Sequence, residues 1–186
     1  MVIWIISGII IVLGIIFFFY YNKFIVLSNR IENSLSQIDV QLKKRADLIP
    51  NLMETVKSYA KYEKKVITEV TEARKAMLSA KDIGSKLKEG DRLQNALKTI
   101  FALAENYPNL KANENFLHLQ QELTAIEDKI AYARQYYNDS VMEYNNSLQT
   151  IPAKWFASLY GFKHKKDYLQ IEQKEKEVPK VKFEDF

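Results

Sequence analysis

Residues 43–56, "KKRADLIPNLMETV", put a proline in the middle of a helical pattern. Leu42, Ile49 and Val56 keep a seven-residue register through Pro50, and Glu63, Val70 and Met77 extend it. A proline inside a helix lacks the N–H that the carbonyl four residues back, here Ala46, would accept, and its ring crowds that carbonyl. It also disfavours helical angles at the preceding residue, Ile49. Two folds follow. The unbroken register points to one long kinked helix through Pro50 with two further helices. Helix parity points instead to a reversal at 47–49, with Pro50 in the first turn of a new helix, where proline is tolerated. Reversal lets the last long helix run back along the first. Without it, much of that helix's apolar stripe lacks a partner, a costly exposure at roughly 25 cal/mol per Å². Reversal is the favoured reading.

Four helical stretches can be read outward from this point. The first, 24–48, carries Phe24, Leu27, Ile31, Leu35, Ile38 and Leu42 at three- and four-residue spacing. The second, 50–80, carries Leu52, Val56, Tyr59, Val66, Val70, Ala73 and Met77, with Glu63 as a rim position. Gly84 and Gly90 break the pattern in "KDIGSKLKEG", so the third helix is expected at 91–106, with Asp91 as its N-cap and Gln94 completing a capping box. A loop around Pro108 precedes a fourth helix, 113–149, capped by Asn113. Each stretch is apolar on one side only, so each must bury that side against the others. No two-residue alternation suggests a sheet. The expected fold is all-α: an N-terminal transmembrane helix followed by an antiparallel four-helix bundle with coiled-coil-like seams. The expected domains are an anchor at 1–22, a bundle at 23–150, and a C-terminal amphipathic segment and charged tail at 151–186.

The anchor rests on "MVIWIISGIIIVLGIIFFFYYNK", which has no charged side chain before Lys23. A bilayer core needs roughly 20 apolar residues in a helix. Residues from Val2 to Tyr21 supply them, with Trp4, Tyr20 and Tyr21 placed as interfacial aromatics. A cleaved signal peptide would need a basic start, a shorter apolar run and a small-residue cleavage site, none of which is present. Lys23 and Arg30 follow the span, which favours an outside N-terminus and a cytoplasmic body in a single-pass cell-membrane protein. After Pro152, Trp155, Phe156, Leu159 and Tyr160 lie on one side of a short helix among lysines. That is a candidate interfacial helix. A segment folding over the bundle end is the alternative.

The 186 residues include no cysteine, which excludes disulfides, cysteine-ligated metals and thiol nucleophiles. A net charge of +4, with both signs interspersed, gives no nucleic-acid footprint. Glu114, His118 and Glu122 share a helix face at four-residue spacing, but neither histidine has the preceding glutamate that a di-metal bundle uses. No phosphate-binding glycine loop or nucleophile elbow is present. The reading is therefore no enzyme, no cofactor and no metal; a membrane-associated hydrolase or a metal-binding bundle is the alternative. Asn29, Asn33 and Gln37 on the first helix, with Asn138 and Asp139 on the fourth, form a candidate partner surface near the bilayer. The expected partners are the lipid bilayer and a protein, with self-association left open.

Several runs resemble the LemA family of bacterial membrane proteins: "NRIENSLSQIDVQLKKRADLIPNL" (29–52), "YAKYEKKVITEVTEAR" (59–74), "AENYPNLKANENFLHLQQEL" (104–123), "DKIAYARQYYNDSVMEYN" (128–145) and "EVPKVKF" (177–183). The resemblance implies an N-terminal anchor and an antiparallel four-helix bundle, and a biochemical role that is unassigned. A non-catalytic scaffold or adaptor at the membrane is the function expected.

Overall fold

One helix, α1 (Val2–Tyr59), carries the chain through Pro50 without interruption. The computed structural model describes residues 1–162 and 165–169. Lys163, His164 and the charged tail from Gln170 onward lie outside the described residues, as does the 177–183 run. After α1 come α2 (Lys64–Ser79), α3 (Ile83–Ala104), the single turn α4 (Pro108–Lys111), α5 (Glu114–Gln149) and α6 (Ala153–Tyr160).

The expected reversal at 47–49 is therefore corrected: the chain turns back at residues 60–63, more than three helical turns later. Ala60 closes α1 by donating its N–H to Val56 O, and Glu63 N–H donates to Ala60 O across the turn. The parity argument holds even though its location was wrong. From Phe24 outward α1 runs away from its apolar end, α2 returns, α3 runs out again and α5 returns. The pairing of α1 with α5 and of α2 with α3 dominates the packing, and the result is the antiparallel four-helix bundle. The register of α1 against α5 is fixed by Arg30–Glu143 near one end and Arg45–Glu127 in the middle. These two pairs place Leu35 opposite the turn around Tyr137 and Asn138. A long helix through Pro50 thus keeps the α5 neighbour that it was expected to lose.

Pro50 is tolerated because of what it leaves behind. Its ring is exposed, so it disturbs no packing. Its missing N–H frees the carbonyl of Ala46, a residue with no exposed surface. Arg74 of α2 fills the gap: its Nε donates to Ala46 O at 2.7 Å. A defect inside one helix becomes a bond between two.

The third helix begins earlier than its glycines suggest. Asp82, not Asp91, is the N-cap, with its carboxylate accepting from Ser85 N–H at 2.8 Å. Gly84 and Gly90 both lie within α3. Gly90 is a site of close approach: a Cβ there would lie 2.9 Å from Leu42 Cδ2 and 3.5 Å from Met77 Sδ, so α1, α2 and α3 converge on it. Glu63 is a turn residue rather than a bundle rim, and accepts from Tyr107 Oη at 3.0 Å. Asn113 caps α5 as expected, accepting from Phe116 N–H.

Removing Arg74 strands a buried carbonyl, which costs about 1–3 kcal/mol. Restoring the N–H at position 50 supplies that carbonyl locally. Arg74→Ala should therefore destabilise the native chain by about 1–3 kcal/mol but cost clearly less in a Pro50→Ala background, a coupling measurable by a double-mutant cycle in urea. Hydrogen bonding to Ser85 holds the Asp82 carboxyl below its usual value of 3.8. Its stabilisation is then present above that value and lost as pH falls through the lowered folded value. Asp82→Asn, which keeps the cap without the titration, should flatten the acid limb of the melting-temperature profile.

Candidate functional site

Among the described residues the buried core is apolar apart from three serines, Asn145 and one charged residue, Arg45. Along α1 the heptad series Phe24, Ile31, Ile38, Arg45 and Leu52 is buried throughout, and its fourth member is a charge. Arg45 is 1% exposed. One guanidinium nitrogen donates to Gly90 O at 3.1 Å, and the other end pairs with Glu127 of α5. A second pair, Arg134 of α5 with Asp91 of α3, lies in the same layer and is about three-quarters buried. Lys86–Asp39, at 2.6 Å, ties α3 to α1 one level nearer the apolar end. Burial lowers the Arg45 pKa to about 10, with Arg134 adding to the shift and Asp91 opposing it. The group stays charged at neutral pH and needs its partners. Gly90 is what lets Arg45 reach a helix backbone, since no side chain shields that carbonyl.

This layer was missed by sequence reasoning, although a charge at a core heptad position was its visible sign. Asp91 was assigned to a cap and is instead the counter-ion of Arg134. The Glu114, His118 and Glu122 row places only His118 and Glu122 near each other, at 3.9 Å on an open surface. No group of three or more potential metal ligands occurs among the described residues.

The candidate partner residues separate into two kinds. Asn29, Asn33 and Gln37 form an exposed polar row on α1, and Asp139 is exposed on α5. Asn138 is half-buried and engaged. Its amide accepts from Leu169 N–H at 2.9 Å and donates to Leu169 O at 3.1 Å. Asn145, 5% exposed and seven residues on, does the same with Lys166: it accepts from the N–H and donates to the carbonyl, both at 2.9 Å. Tyr137 Oη donates to Asp167 O at 2.9 Å between them. Burial, and the nearby Asp167, push the Tyr137 pKa above its usual value. Residues 165–169 are thus held along α5 by five hydrogen bonds, all to main-chain atoms.

The candidate interfacial residues divide as well. Phe156 stacks on Tyr20 with centroids 5.1 Å apart, and Tyr160 packs against Phe17 and Tyr21 while its hydroxyl donates to Phe17 O. Trp155 and Leu159 face away and are 65% and 70% exposed. Gly161, at φ 84°, ends α6 in the left-handed region that favours glycine, and Phe162 then stacks on Phe24. Helix α6 therefore clamps the junction where the exposed part of α1 meets the buried part, with two apolar side chains pointing outward. Val2 and Trp4 sit on the fully exposed part of α1, Tyr21 near its end.

Breaking the central pair from one side leaves Arg45 buried without its counter-ion, whereas an apolar group of similar volume removes the charge itself. Glu127 is 36% exposed, which moderates the loss. Glu127→Ala should cost about 1–3 kcal/mol in chemical denaturation, and Arg45→Met distinctly less.

Comparison with known proteins places this architecture. The sequence model of the LemA family matches residues 34–183. "Magnetosome protein MamQ 2" of Paramagnetospirillum magneticum is 26% identical over 176 residues, covering 81% of this chain and 64% of the relative. "Magnetosome protein MamQ" of Magnetospirillum gryphiswaldense is 25% identical over 169 residues, covering 77% and 62%. "Protein LemA" of Metamycoplasma hominis is 28% identical over 149 residues, covering 76% and 66%. The chain spans just under two thirds of the length of these relatives. With the family match running from α1 through the bundle and beyond α6, the chain belongs to the LemA family.

Proposed function

We propose that this chain is a membrane-tethered scaffold or adaptor, single-pass, with the N-terminus outside and the bundle in the cytoplasm. The observation that carries the non-catalytic reading is how the interior polar groups are used. Arg45, Glu127, Asp91, Arg134 and Arg74 all bind one helix to another, so the bundle's charges serve its own assembly. The tether is supported by the one helix among the described residues that is long and apolar enough to cross a membrane, with none of its apolar window buried inside the chain. Trp4 and Tyr21 stand exposed near its two ends. Lys23 and Arg30 follow it, and such basic residues favour the cytoplasmic side. The magnetosome proteins among the relatives agree with a membrane setting.

Scaffolding is tested by photo-crosslinking in membranes from the exposed residues Asn29, Asn33, Gln37 and Asp139. Discrete protein adducts from these positions, and none from Glu69 or Glu72 on α2, are expected. A turnover activity of the purified chain that one point substitution abolishes would overturn the reading in favour of a membrane-associated hydrolase. Orientation is tested separately. The chain has no cysteine, so a single Ser85→Cys residue reports alone. It should resist a membrane-impermeant thiol reagent in intact cells and react after lysis; ready labelling in intact cells would place the bundle outside.

A further inference from the structure

Five hydrogen bonds, all to main-chain atoms, hold residues 165–169 along α5. Asn138 and Asn145 each present one donor and one acceptor, the pair that a neighbouring β-strand would offer. Their seven-residue separation on α5 spans about 10.5 Å at 1.5 Å per residue. Lys166 and Leu169, three residues apart in an extended chain, span about 10 Å. The two rungs match, so the segment lies antiparallel to α5 and in register with it. Between the rungs, Tyr137 Oη takes the carbonyl of Asp167. None of these bonds reaches a side chain of the segment. Lys165, Lys166, Asp167 and Tyr168 point to solvent, and Leu169 alone packs against the core. Main-chain bonding of this kind supplies affinity with little dependence on sequence, and the apolar contact supplies the selectivity.

We propose that α5 carries a binding site for an extended segment of another membrane protein's juxtamembrane region, and that residues 165–169 occupy it in cis as a displaceable stand-in. The antiparallel register places Asn145 and Asn138 level with about residues 28–35 of α1. That is roughly 10–20 Å along the helix beyond Tyr21. A chain leaving the bilayer beside the anchor reaches this level in a few extended residues. The site asks for two main-chain contacts about 10 Å apart and an apolar side chain at the Leu169 position. Its position beside the bilayer rests on the membrane reading above, but binding by the purified chain does not, so the two can fail separately.

The test uses the full chain in lipid nanodiscs. Lys166→Pro with Leu169→Pro removes the two N–H groups that the asparagines accept, and so releases the stand-in. A labelled peptide with the sequence of residues 163–170 should then bind saturably. Adding Asn138→Ala and Asn145→Ala should weaken it at least tenfold, and replacing its leucine by aspartate should abolish binding. Replacing its Asp167 by alanine should change little. Hydrogen exchange on the unaltered chain gives an independent reading. The amides of Lys166 and Leu169 should be protected, Asn145→Ala should expose the first and Asn138→Ala the second, and excess peptide should expose both. Freely exchanging amides in the unaltered chain, or peptide binding indifferent to the asparagines, would overturn the proposal. So would exchange of residues 165–169 between copies, seen as dimers crosslinked through this segment, with no effect of added peptide.

Discussion

The bundle turns on a carbonyl that its own helix cannot satisfy. Pro50 deprives Ala46 O of its partner, and a buried carbonyl without a donor is unfavourable by an amount comparable to a sizeable share of a domain's net stability. Arg74 supplies the donor from α2. The next residue along α1, Arg45, reaches α3 at Gly90 and α5 at Glu127. Adjacent residues 45 and 46 therefore touch all three other long helices through polar groups. Apolar stripes would pack at several neighbouring registers with little to choose between them; directional bonds at one level admit one register. The glycine at 90 belongs to the same arrangement, because α3 must come close enough for its backbone to be reached.

Much of this fold is legible in the chain, and the failures are specific. The heptad through Leu42, Ile49 and Val56 reported helix continuity correctly, and helix parity reported the antiparallel order correctly. They conflicted only because the turn was assigned to the one visible breaker. The real turn, Ala60 to Glu63, contains neither proline nor glycine and is set by tertiary packing, including the Tyr107 bond to Glu63. Gly84 and Gly90 misled in the opposite way. Glycine weakens a helix interior by about 1 kcal/mol, yet a close helix crossing can require it. A local rule could not tell the two cases apart.

The polar features were half visible. Arg45 at an otherwise apolar heptad position announces a buried charge, but its partners lie 45 and 82 residues away and carry no local sign. Asn138 stood out as a candidate contact residue, while nothing local couples it to Asn145. Their seven-residue spacing becomes meaningful only once an extended segment is seen to match it, and such a segment has no periodicity to find. The exposed row of Asn29, Asn33 and Gln37 needed no tertiary information, because it is simply the face of α1 opposite its stripe.

Continuity of α1 has a mechanical side. The 58-residue helix crosses from the exposed apolar segment into the bundle with no joint between them. The portion from Tyr21 to Tyr59 is about 57 Å long at 1.5 Å per residue. It is braced along its length by α5 and at its base by α6. Such a rod transmits angle: leaning its apolar end by about 10° carries the far tip sideways by about 10 Å, a range of tilt that bilayer thickness alone commonly imposes. With the apolar end held in a bilayer, as proposed above, the far end, where α1 gives way to α2 and α4 adjoins α5, would swing with every change in that tilt.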